Sequence, residues 1–150
     1  MGTKIVNGVR VQQTPAEVDE TAARNAEFSS LNAVKGRKRE ALSRLFKTKR
    51  DAGTTASLGG VSVPLATTYE SEQEISSVKD ELKDGGTQKA VTRSGATITI
   101  TLTIATAMLA AVRGHHINCR TVDYNHTLAI NALTTVGEVE AYDITTGWPS

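Results

Sequence analysis

A chain of 150 residues with 39% hydrophobic and only 4% aromatic side chains has material for one modest core or two small ones, held by aliphatic and alanine packing. Its formal net charge of +1 gives no whole-protein attraction to nucleic acid or to a membrane surface, and its single cysteine excludes an internal disulfide. No apolar run approaches the ~20 residues that span a bilayer and no signal-peptide hydrophobic region opens the sequence, so a reducing cytoplasm is the expected compartment unless a larger particle carries the protein out.

Lys4-Ile5-Val6 and Val9-Arg10-Val11 read as two short strands around Asn7-Gly8, a pair suited to a type I′ hairpin turn because both central residues take positive φ. A lone two-stranded hairpin is marginal in water, so this one is expected to dock on something. Thr14-Pro15-Ala16-Glu17 starts a helix, with threonine as N-cap, proline at the first helical position and glutamate closing a capping box. From there to about Arg50 only Ser29-Ser30 and Gly36 interrupt. Glu17, Asp19, Glu20 and Glu27 crowd the first half, while Lys35, Arg37, Lys38, Arg39, Arg44, Lys47, Lys49 and Arg50 crowd the second, an order that suits the helix dipole. The apolar positions Val18, Ala22, Ala26, Leu31, Val34, Leu42, Leu45 and Phe46 form a narrow stripe, too irregular for a coiled coil. The helix is therefore expected to be an arm that lies across a neighbour or pairs with copies of itself, with Leu31, Val34, Leu42, Leu45 and Phe46 as contact residues. No aromatic side chains are interleaved with the basic run, which argues for a solvated or protein-facing surface over nucleic acid.

The Gly-, Thr-, Ser- and Ala-rich stretch from Asp51 to Gly60 reads as a linker, 53–60, between the hairpin and arm of 1–52 and a C-terminal domain of 61–150. After the Gly59-Gly60 turn, Val61-Ser62-Val63 reads as a strand that Pro64 ends or marks as an edge, and Thr67-Thr68-Tyr69 suits a second strand. Ser71 as N-cap with Glu74 opens a short helix carrying Ile75, Val78 and Leu82, which Asp84-Gly85-Gly86 stops. Gln88 to Thr92 and Ala96 to Thr101 alternate around Ser94-Gly95 as another hairpin, with Ala90, Ile98 and Ile100 inward.

The longest helical signal runs from Leu102 to Leu133 with Thr103 as N-cap. Ala105, Met108, Val112, His115, Cys119, Val122, His126 and Ala129 fall on one stripe at steps of three and four, flanked by Leu109, Ile130 and Leu133. Thr134-Thr135 caps a last short helix with Val136, Val139, Glu140 and Tyr142. Trp148 is the single tryptophan, set between Gly147 and Pro149, and is expected to dock against the long helix or a neighbouring subunit.

His115 or His116, Cys119 and His126 raise a zinc site and a cysteine nucleophile. Cys119 and His126 stand two helical turns apart, roughly 10 Å of rise, too far for one ion. A cysteine nucleophile needs a base, an orienting group and an oxyanion pocket, usually assembled at loop ends rather than mid-helix. Neither glycine pair is followed by the Lys-Ser/Thr of a phosphate loop. These residues read as packing, and the chain is expected to be no enzyme, with no catalytic residue, metal, cofactor or small-molecule substrate.

Val61-Ser62-Val63 with Thr67-Thr68-Tyr69 and the helix from Ser71 to Leu82, then Thr97 to Thr103 running into Ala110-Ala111-Val112-Arg113-Gly114-His115, resemble a domain of unknown function that recurs in bacteriophage tail proteins, often at the C-terminal end of tail-fibre and fibre-assembly polypeptides. The closing run from Thr134 to Pro149 is the most specific piece, and Val6 to Val11 followed by Thr14-Pro15-Ala16-Glu17 looks like the start of such polypeptides. Lys35-Gly36-Arg37-Lys38-Arg39 is more basic than the resemblance leads one to expect. The resemblance implies a virion component at the baseplate or fibre attachment, made in a bacterial cytoplasm and acting through contacts with other tail proteins. A fibre-assembly chaperone absent from the finished particle is one alternative, and a nucleic-acid-binding protein using the basic arm another. The expected fold is α+β: an N-terminal hairpin and long helical arm, then a small antiparallel sheet packed on a long C-terminal helix.

Overall fold

The computed structural model describes residues 3–6, 8–58, 60–91 and 97–149. In chain order these form β1 (Thr3–Val6), β2 (Val9–Gln12), α1 (Pro15–Arg50), β3 (Thr54–Leu58), β4 (Val61–Leu65), α2 (Tyr69–Glu81), a 3-10 turn (Leu82–Asp84), β5 (Gln88–Val91), β6 (Thr97–Ile100), α3 (Leu102–Ala132) and α4 (Val136–Ala141). The class is α+β and mostly helical. The strands pair as three separate antiparallel hairpins rather than as one sheet: β1 with β2, β3 with β4, β5 with β6. The chain divides into two compact units at positions inside both long helices, one of Met1–Glu40 with Ala129–Tyr142, the other of Ala41–Leu128 with Asp143–Ser150. The expected division at 53–60 does not coincide with these borders.

In the first unit, β1 and β2 pair with Val6 opposite Val9, which leaves a two-residue connection. Gly8 has φ +81°, as a type I′ turn asks, while Asn7 lies outside the described residues. The capping box at the start of α1 forms as expected: Glu17 N–H donates to Thr14 Oγ1 at 3.3 Å and Thr14 N–H donates to Glu17 Oε2 at 2.9 Å. Lys4 of the hairpin pairs with the same carboxylate. From Pro15 to Ala33 no α1 side chain is buried; the first is Val34. Ile130 of α3 and Val139 of α4 are wholly buried. The last helix carries the second reciprocal cap, Thr135 accepting from Glu138 N–H at 3.2 Å while the Glu138 carboxylate accepts from Thr135 N–H at 3.0 Å.

The basic run has a structural use in this unit. Lys35 Nζ donates to the Asn131 carbonyl at 2.8 Å, in the last turn of α3, and Lys38 Nζ donates to the Glu140 carbonyl at 3.0 Å, in the last turn of α4. Arg39 donates to the Asn131 side chain. The last carbonyls of a helix lack intrahelical donors and carry its negative dipole end, so cations there are favourable.

In the second unit, β3 and β4 turn Ala56, Leu58, Val63 and Leu65 onto Val112 of α3, with Ile75, Ile104, Met108 and Ala111 around them. A second cluster joins Leu82, Ile100 and Ala105, flanked by Val78, Ala90 and Ile98. The expected linker is thus largely strand β3, because Ala56 and Leu58 alternate inward and find apolar partners. Pro64 sits within β4 opposite Thr55, tolerated because a two-stranded ribbon has a free side for the residue without an N–H.

Thr67-Thr68-Tyr69 is no strand. Thr68 is the N-cap of α2, accepting from Ser71 N–H at 3.3 Å, and Tyr69 opens the helix, so the expected cap at Ser71 is three residues late. The cap of α3 is likewise Thr101, which accepts from Ile104 N–H at 3.3 Å, and Thr103 lies inside the helix. Gly85 and Gly86, at φ +87° and +139°, end the α2 segment as expected. Gly59 and the Ser94-Gly95 turn lie outside the described residues.

Candidate functional site

The stripe of α3 was the place where the sequence suggested chemistry. His115, Cys119 and His126 are all buried, with Cys119 wholly so. Each histidine holds a backbone carbonyl of another segment against α3. His115 Nε2 lies 3.0 Å from the Lys49 carbonyl, His116 Nε2 2.7 Å from that of Thr67, and His126 Nε2 3.0 Å from that of Thr146. A carbonyl oxygen only accepts, so Nε2 carries the proton in each.

That assignment decides the role of the neighbouring thiol. Cys119 Sγ is 3.5 Å from His115 Nε2, the nitrogen whose proton points at Lys49. With no lone pair there, His115 cannot take the thiol proton as a nucleophile's base must. Burial pushes the Cys119 thiol up from its ordinary range, against the opposing pull of Lys49 and Arg50. Among the described residues no three His, Cys, Asp or Glu side chains stand close enough to share a metal ion.

Thr67 is the hub of the adjoining corner and is wholly buried. Its hydroxyl accepts from Gly53 N–H at 3.0 Å and donates to the Arg50 carbonyl, while its own carbonyl receives His116. The C-terminal carbonyls of α1 are thereby covered by Thr67 and His115. Sequence reading missed this role, since a threonine among threonines carries no signal of burial. His116 Nδ1 also stands 3.3 Å from the Glu72 carboxylate, which accepts from Arg113 Nε at 2.9 Å. The Arg113 bond, opposed by burial and aided by His116, holds Glu72 below the usual carboxylate range. Beside this corner an open cleft of about 750 Å³ is lined by Asp51, Gly53, Thr55, Pro64 and Thr68. Its one carboxylate is taken: Asp51 accepts from Arg50 at 2.7 and 3.1 Å.

Of the expected contact residues, two are buried and four half-buried within the chain. Val34 and Leu42 are buried at 7% and 1% exposure, and Leu31 and Leu45 are half-buried. Phe46 packs on Trp148 with ring centroids 6.4 Å apart, and Arg50 covers the same phenyl ring at 5.9 Å. Trp148 also lies 5.9 Å from the His126 ring and donates Nε1–H to the Ile144 carbonyl at 2.8 Å. The terminal Gly-Trp-Pro is docked on its own chain, with Gly147 at φ +78° supplying the turn that presents the ring. The stripe of α1 thus turns inward from Val34 on, where apolar partners exist within the chain. The large apolar side chains that α1 leaves exposed, Val18 and Phe28, lie upstream. Among the described residues no helix is long and apolar enough to cross a membrane. No family model, curated protein or solved structure matches the chain.

Proposed function

We propose that the protein is a structural component of a bacteriophage tail, at the baseplate or the fibre attachment, working through protein contacts with other tail proteins and with its own copies. The observation that carries this reading is the first half of α1. From Pro15 to Ala33 it buries no side chain, and it leaves Phe28 65% exposed. Helices in proteins gain their stability mainly from packing an amphipathic face rather than from propensity. A partner surface supplies that packing here. The resemblance of both ends of the chain to phage tail polypeptides gives the partner its class.

The arrangement of the basic run weighs against nucleic acid as the partner. Lys35, Lys38 and Arg39 are held by neutral oxygens of α3 and α4, and Arg50 is paired with Asp51, so half of the run is positioned by the chain itself. Mass spectrometry of purified particles tests the proposal. The chain is expected in stoichiometric amount with the other tail proteins. Its absence from particles whose assembly requires it would overturn the structural reading and leave the assembly chaperone.

A further inference from the structure

Helix α3 is apolar on two opposite faces. One is the buried line of Val112, Cys119 and His126. Half a turn away, Ile117, Tyr124 and Leu128 stand 61%, 61% and 49% exposed. With Ala110, Gly114 and Thr121 they recur at alternating steps of four and three, the spacing that keeps one seam facing a partner helix along its length.

The order of sizes along that seam says what the partner is. Turned end for end about Cys119, a second copy of the helix sets Leu128 against Ala110, Tyr124 against Gly114 and Ile117 against Thr121. Each large side chain meets a small one. A parallel pair would set Tyr124 on Tyr124 and Gly114 on Gly114, crowding one end and leaving a void at the other, and close packing tolerates neither. Gly114 sharpens the size argument. Its φ is ordinary for a helix, and a Cβ added there would meet nothing within 4 Å. A glycine inside a helix is less favourable than alanine by roughly 1 kcal/mol, and neither backbone geometry nor the chain's own packing asks for it. The incoming Tyr124 of a second copy does.

We propose that the outer face of α3 binds a second copy of this chain as an antiparallel, two-fold pair centred near Cys119. The surface is self-complementary, as a two-fold interface requires. It offers three large side chains per copy, well short of the ~800 Å² per partner of a standard interface, so the dimer is weak and concentration-dependent. The pairing also brings the two Arg120 guanidinium groups onto the same flank near the axis, so salt should strengthen it by screening their repulsion. None of this depends on the tail reading.

Sedimentation equilibrium on the full chain, from about 5 µM to 1 mM, tests it. The expected result is a monomer–dimer equilibrium that tightens with added salt and loosens by roughly tenfold or more in Tyr124→Ala, the loss of a central aromatic anchor. Gly114→Leu separates assembly from folding: it should abolish the dimer while the monomer melts no lower than the parent. A spin label at the exposed Thr106→Cys, with buried Cys119 unlabelled, reports direction. Antiparallel pairing about Cys119 places the two labels roughly 40 Å apart along the axis, whereas parallel pairing brings them to helix–helix distance. A monomer at every concentration, a dimer indifferent to Tyr124→Ala, a short label distance, or a Gly114→Leu monomer that unfolds would each overturn the proposal.

Discussion

Cys119 and the histidines around it show how a residue pattern that invites chemistry can be consumed by packing. The stripe was legible, because steps of three and four put His115, Cys119 and His126 on a single face, and all three are buried. What occupies them was not legible. The carbonyls they meet belong to Lys49, 66 residues from His115, and to Thr146, 20 residues from His126, separations that no local spacing encodes. Trp148 was legible as a docking element, since a lone tryptophan beside Gly147 has a large apolar surface to place, but its seat between Phe46 and His126 was not. A thiol that is wholly buried and pushed toward its neutral form reacts only when the helix opens. Labelling of Cys119 by a thiol reagent in native buffer is expected to run at least ~100-fold slower than in denaturant. Cys119→Ala should cost about 1–2 kcal/mol in urea unfolding through the small cavity it leaves. Labelling at the denatured rate, or stoichiometric zinc in the purified protein, would show that the thiol is available after all.

Among the elements, the reciprocal cap of α1 was readable because both partners sit at a fixed spacing, Thr14 with Glu17, while at α4 the sequence pointed to Thr134-Thr135 and the structure adds Glu138 as the reciprocal partner. Ser71 with Glu74 has the same spelling, yet Thr68 wins, since the chain leaves the buried Thr67 already pinned and the helix starts at once. The 53–60 stretch was misread because glycine and small polar residues signal a linker, whereas its strand is defined by two inward side chains, Ala56 and Leu58, that only a facing helix makes meaningful. The cap of α4 carries a pH dependence whose sign can be worked out. Hydrogen bonds from Thr134 N–H and Thr135 N–H hold the Glu138 carboxyl below its ordinary value of 4.5. Its contribution is therefore fully present above that pH and is lost as pH falls through the lowered value. Amide exchange in α4 should rise as pH drops from 6 to 3, after correction for intrinsic rates. In Glu138→Gln that extra acid sensitivity should vanish; if it persists, the capping carboxylate is not its source.

On the scale of the whole molecule, the α+β class and the two long helices could be read from periodicity and caps, whereas the strand at 54–58 and the absence of one at 67–69 could not. Which strands share a sheet could not, because each hairpin closes on itself and nothing in its sequence says whether another will join. The two compact units were also hidden, since their borders fall within continuous helical patterns. The basic second half of α1 looked like a surface property and is partly an internal one, with Lys35 and Lys38 covering the ends of α3 and α4. That leaves α1 as one helix with two kinds of support. From Val34 onward it has buried side chains and tertiary hydrogen bonds, and before Val34 it has the reciprocal cap, the Lys4–Glu17 pair and local pairs such as Arg24–Glu20 at 3.1 Å. Exposed ion pairs of that kind contribute little, and opening free energies follow buried contacts. Hydrogen exchange on the isolated protein is therefore expected to split α1 near Val34, with 15–33 exchanging at least tenfold faster than 36–50. On the function proposed above, the first half should become protected in an assembled tail, because a partner would then supply the packing that the chain does not. Uniform protection along α1 in the isolated chain would mean that the first half is already stabilised without a partner, and the arm would lose its reason to bind one.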